Sequence, residues 1–91
     1  MSMRARVTVY PRREILDPQG KAIQGALAGL GFDRVEEVRA GKSFEIRLGV
    51  GDAETAGEML GRMCEKLLVN TVVEDYEVEI LGAEPAPEAG R

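Results

Sequence analysis

Ninety-one residues make one domain with a small core, and a chain this short commonly completes its burial against a partner. Twelve Lys and Arg against 16 Asp and Glu leave a net charge of -4, which argues against broad binding to a nucleic-acid backbone. There is no histidine and a single cysteine, Cys64, so histidine-based nucleophiles, His/Cys zinc sites and an internal disulfide are all excluded.

The chain opens on Arg4–Tyr10, whose period-2 alternation predicts a half-buried strand with Ala5, Val7 and Val9 inward and Arg6, Thr8 and Tyr10 outward. Pro11 removes a donor and ends it. Asp17-Pro18-Gln19-Gly20 then has the chemistry of a helix start. Asp17 accepts from free amides, and Pro18 at the first helical position loses no needed hydrogen bond. Ile23, Ala26, Leu27 and Leu30 fall on one face of this helix, and Gly31 is placed to end it in the left-handed conformation with Phe32 folding back. Gly25 and Gly29 lie opposite that stripe. An interior glycine costs about 1 kcal/mol against alanine, so two of them mark a face kept bare for the close approach of another chain.

Val35 and Val38 break alternation, whereas Phe44, Ile46, Leu48 and Val50 keep it, with Gly41 between the two stretches. One long bent strand, or two joined near Ala40 to Ser43, would give this pattern. Asp52 caps a second helix expected from Ala53 to Leu68. Its inner stripe is Ala56, Leu60, Met63 and Leu67, with Met59 and Cys64 alongside and Glu54, Glu58, Arg62 and Glu65 opposite. Gly57 and Gly61 flank the stripe, as close packing on the sheet requires, and Asn70 tolerates the positive φ of a helix terminator. Val72–Leu81 reads as the last strand, with Tyr76, Val78 and Ile80 inward. Beside the first strand, its outward acids would meet Arg4 and Arg6.

These elements predict an α+β two-layer sandwich: an antiparallel sheet of three or four strands with two helices on one face, a variant of the ferredoxin-like βαββαβ plan. Residues 1–82 form the domain, and 83–91, rich in Pro, Ala and Glu, a disordered tail. No run approaches the roughly 20 apolar residues of a membrane helix, and no secretory signal is apparent, so a cytoplasmic chain is expected.

Several short motifs could bind something. Asp17–Gly20 could hold an anion at helix amides, but capping already explains it. Gly41-Lys42 sets a mobile cation beside a turn, and Gly49-Val50-Gly51 lacks the Lys-Ser/Thr of a phosphate loop. Cys64 is a packing residue.

Taken in order, Val7-Thr8-Val9-Tyr10-Pro11, Leu16-Asp17-Pro18-Gln19-Gly20-Lys21-Ala22, Val38-Arg39-Ala40-Gly41-Lys42, Met63–Asn70 and Val73-Glu74-Asp75-Tyr76-Glu77-Val78 resemble the PurS family over Arg4–Leu81. Thr71 departs from the proline more usual there. The resemblance implies a PurS-like fold and a non-catalytic role in phosphoribosylformylglycinamidine (FGAM) synthase, in de novo purine biosynthesis. There it would bridge the synthetase (PurL) and glutaminase (PurQ) subunits as a homodimer or homotetramer and assist ammonia transfer. It implies no cofactor on this chain, the complex using ATP, magnesium and glutamine. It implies no catalytic residue, metal, nucleic acid or membrane. Asp17, Gln19, Gly20, Gly41, Lys42 and Asn70 become candidates for folding or partner contact, beside Gly25 and Gly29 from the helix reading. The rival reading is an ACT-like small-molecule regulatory domain.

Overall fold

The computed structural model describes residues 1–84: β1 (Ser2–Pro11), α1 (Pro18–Gly29), β2 (Lys42–Leu48), α2 (Ala53–Met63) with a terminal wide π turn (Cys64–Leu68), and β3 (Glu74–Glu84). The sheet is antiparallel in the order β2-β1-β3, so it has three strands. Val7 stands opposite Phe44 and Val78, while Arg6 stands opposite Glu45 and Glu79. One sheet face is therefore apolar and the other carries a charge ladder, as the alternation requires. Arg6 meets Glu45 at 3.5 Å and Glu79 at 3.4 Å, and Arg4 meets Glu45 at 3.3 Å.

The middle region forms one strand, Lys42–Leu48, preceded by an irregular connection over 35–41. That connection bonds to α1 instead of to a strand: Gln24 Nε2 donates to the Glu36 carbonyl at 3.1 Å and the Ala40 N–H to Asp17 Oδ2 at 2.8 Å. β3 starts at Glu74 because the Asn70 carbonyl takes the N–H groups of Val73 and Glu74 in a turn. It runs on to Glu84 past a bulge at Leu81, where Gly82 takes φ 132°. The rest of the expected tail, 85–91, lies outside the described residues.

The core is Met3, Ala5, Val7, Val9, Leu48, Ala56, Leu60, Cys64 and Val69. Ala56 and Leu60 are buried as the helical spacing predicts, but Leu67 is 84% exposed. The cause is the π turn: the Val69 N–H reaches back five residues to the Cys64 carbonyl at 3.0 Å, which turns Leu67 outward and draws Cys64 and Val69 in. The chain leaves that turn extended at Val69, so Asn70 needs no positive φ, and among the described residues only Gly31 and Gly82 have one. Nor does close packing explain Gly57 and Gly61, since a Cβ at either meets nothing within 4 Å.

The largest departure concerns α1. Its ends form as expected: Asp17 Oδ1 accepts from Gly20 N–H at 3.0 Å, Gly31 takes φ 99°, and the N–H groups of Gly31 and Phe32 reach the carbonyls of Ala28 and Leu27. Its apolar stripe, however, contributes nothing to the core. Ile23 is 40% exposed, Leu30 74% and Phe32 59%. Only α2 covers the sheet. Residues 12–41 form an arm, and the radius of gyration is 17.0 Å where a compact chain of this length has about 12 Å.

Candidate functional site

Charged and polar side chains converge where the arm leaves the sheet. Arg12 ties the end of β1 to the turn before β3: its N–H donates to the Val73 carbonyl at 2.9 Å, its Nη2 to the Thr71 carbonyl at 2.6 Å, and its Nε lies 3.6 Å from Asp75. Arg39, coming back from the arm, donates to the Pro11 carbonyl and lays its guanidinium 4.8 Å from the Tyr10 ring centroid. Tyr10 in turn donates its hydroxyl to Glu77 at 3.1 Å, and this bond to a carboxylate holds the phenol above its ordinary pKa.

Asp17 fastens the root of the arm. One oxygen takes the Gly20 N–H and the other the Ala40 N–H, so a single carboxylate joins the start of α1 to the irregular connection leading into β2. Accepting these two amides, first Gly20 and then Ala40, lowers its pKa, and the nearby Arg39 charge adds to the effect. The backbone passes so close here that side chains do not fit. A Cβ on Gly20 would collide with the Val38 carbonyl and the Asp17 carboxylate, and one on Gly41 with the Val9 carbonyl.

Above this junction lies an open cleft of about 630 Å³ lined by Tyr10, Arg39, Lys42, Asp75 and Glu77 among others. Lys42 is exposed, with its ammonium 5.9 Å from the Phe44 ring centroid and no carboxylate partner among the described residues. Both signs of charge line the cleft, which suits a polar protein surface better than a single anion.

The structure thus brings together four of the residues singled out in the sequence: Asp17, Gly20, Gly41 and Lys42. The first three hold the arm, and Lys42 borders the cleft with its ammonium lying over the Phe44 ring. Gln19 is exposed at the helix start. Gly25 and Gly29 are open, with nothing within 4 Å of an added Cβ. Asn70 makes the neighbouring turn, its side chain accepting from Val72 N–H at 3.2 Å. Sequence reasoning missed Arg12, Arg39 and Glu77 as members of this network. Arg39 and Glu77 had a signal, each standing in a motif already recognised, whereas Arg12 had none beyond being charged.

Residues 4–82 match the family model described as PurS: Phosphoribosylformylglycinamidine (FGAM) synthase. The phosphoribosylformylglycinamidine synthase subunit PurS of Synechocystis sp. is 45% identical over 85 residues, covering 93% of this chain and 85% of that one. The Bacillus subtilis subunit of the same name is 40% identical over 77 residues, covering 85% and 90%. Among solved structures, Methanocaldococcus jannaschii PurS superposes with a TM-score of 0.80 at 37% identity, covering 92% of this chain and 100% of that one. A chain of the Thermotoga maritima PurLQS structure gives a TM-score of 0.82 at 34% identity, covering 89% and 99%.

Proposed function

The chain belongs to the PurS family, and from that premise we propose that it is a homodimeric, non-catalytic bridge between the synthetase and glutaminase subunits of FGAM synthase. As a PurS subunit it acts in purine biosynthesis, in the enzyme that makes formylglycinamidine ribonucleotide. Glutamine supplies ammonia at one subunit, and ATP with magnesium activates the amide oxygen of the substrate at another. The task left for a third chain is to hold those two sites in register so that ammonia passes without escaping. The observation that carries this reading is the likeness, over nearly its whole length, to a chain of the Thermotoga maritima PurLQS structure.

The chemistry of the chain agrees. Cys64 is fully buried, and that burial pushes its thiol pKa up, the opposite of what a nucleophile needs. In the cleft, Glu77 and Asp75 already engage Tyr10 and Arg12, while Lys42 is free to meet a partner's carboxylate. Such a chain works where purine synthesis does, in the cytoplasm. Among the described residues no helix is long and apolar enough to cross a membrane.

The test is glutamine-dependent amidine synthesis by the purified synthetase and glutaminase subunits, with and without this chain. Activity and a larger complex by light scattering should appear only when the chain is added, and Lys42→Ala should weaken that complex while leaving the fold intact. Synthesis that proceeds equally without the chain would refute the bridge.

A further inference from the structure

Resting on the reading of the chain as a subunit of FGAM synthase, we propose that the cleft at Tyr10 binds the amidine ribonucleotide which that enzyme makes. Arg39 would take its phosphate and Glu77 its amidinium. The charges on the outer sheet face fall into two sets. Toward the start of β1 they satisfy one another: Arg4 meets Glu45 and Glu84, Arg6 meets Glu45 and Glu79, and Arg47 meets Glu84. At Tyr10 they do not. Arg39 and Glu77 have no ion-pair partner among the described residues.

One phenol holds both of these spare charges. The Arg39 guanidinium lies 4.8 Å from the Tyr10 ring centroid, and Glu77 accepts the Tyr10 hydroxyl at 3.1 Å. Arg39 spends one nitrogen on the Pro11 carbonyl and keeps its remaining donors, while Glu77 keeps its second oxygen. Asp17, by taking the Ala40 N–H, fixes the backbone beside Arg39. The same cleft of about 630 Å³ is lined by the hydroxyl residues Thr8 and Ser43, which stand opposite each other in the β1–β2 register. Arg13 adds a second positive charge from the arm, and Asp75 a second negative one from β3.

This arrangement selects its ligand by charge. A simple anion is repelled by Glu77 and Asp75, and a simple cation by Arg39 and Arg13. A molecule with a negative and a positive end held apart satisfies both. The amidine ribonucleotide is such a molecule, because its ribose carries a phosphate at one end and an amidine, a cation at neutral pH, at the other. Guanidinium with phosphate and amidinium with carboxylate are both two-pronged pairs, and the sugar hydroxyls between them would meet Thr8 and Ser43. The substrate has a neutral amide where the product has the cation. Glu77 would therefore retain the product as it forms and leave the substrate to the synthetase subunit.

The experiment titrates the full-length chain, by calorimetry and amide NMR, with the amidine ribonucleotide, the amide ribonucleotide it is made from, ribose phosphate and acetamidine. The amidine ribonucleotide should shift the amides of Thr8, Tyr10, Ser43 and Glu77. It should bind roughly tenfold or more tightly than the amide, the effect of one charge-assisted hydrogen-bonded pair. Glu77→Gln, which keeps an acceptor for Tyr10, should abolish that preference and leave ribose phosphate binding unchanged. Arg39→Lys, which keeps the charge but loses the fork, should weaken both ribonucleotides alike. Equal affinity for the two, a preference that survives Glu77→Gln, or shifts elsewhere on the chain would each overturn the site. So would no binding at all; if the chain then still restores glutamine-dependent synthesis, the bridging role stands without it.

Discussion

The body of the molecule and its arm are held by different forces. The body, the sheet with α2, encloses Leu60, Val7, Val9 and Cys64 fully, so its stability comes from apolar burial, at about 1.5–3 kcal/mol for each large side chain. The arm, residues 12–41, contributes no core residue. It is fastened by Asp17 to two backbone amides, by Gln24 to Glu36 and by Arg39 to Pro11. Apolar burial in the core does not titrate, whereas the Asp17 anchor of the arm depends on a carboxylate being ionised.

Four substitutions would break or sharpen the contrast. Leu60→Ala, in the body, should cost roughly 2–5 kcal/mol in urea unfolding, since it leaves a cavity under the sheet. Gly20→Ala drives a Cβ into the Val38 carbonyl and should loosen the arm by about 1–3 kcal/mol. Amide exchange would then show Ala40 unprotected and β1 unchanged; loss of protection in both would erase the boundary between the regions. Asp17→Asn removes one of two acceptors and should loosen the arm less than Gly20→Ala does, read by the same exchange. Its pH counterpart has a definite sign. The folded pKa of Asp17 lies below its ordinary 3.8, so the anchoring is complete above that value and is lost as pH falls through the lowered one. The Ala40 amide shift in NMR should follow this titration while the β1 amides do not. Smallest of all, Glu79→Gln removes an exposed ion pair with Arg6 and should change stability by less than about 1 kcal/mol, falling further with added salt.

Local signals were readable in the sequence wherever a residue acts on its immediate neighbours. Asp17 and Asp52 cap the helices they were expected to cap, Gly31 ends α1, and the alternation in Ala5–Val9 sets the core face of β1. The stripe of Ile23 and Leu30 shows the limit of such signals. Periodicity says that a helix has an apolar face, but not whose core that face joins. Leu67 shows a second limit, because one extra residue in the π turn rotates everything after it and leaves no mark in the spacing. At the site, Asp17, Gly20, Gly41 and Lys42 were visible through a motif, whereas Arg12 finds Asp75 and Tyr10 finds Glu77 only after the end of β1 and the start of β3 have been brought side by side.

The charge ladder on the outer sheet face has a consequence for solubility. Both outer strands, β2 and β3, offer unpaired backbone groups along one side, the template on which further strands add into fibrils. Along those strands, Glu45, Arg47, Glu77 and Glu79 place a formal charge at every second position, so another copy in register would set like charges against each other. The bulge at Leu81 further bends the end of β3 out of a flat template. The same arginines and glutamates that add little to the stability of one molecule therefore keep concentrated molecules from joining edge to edge.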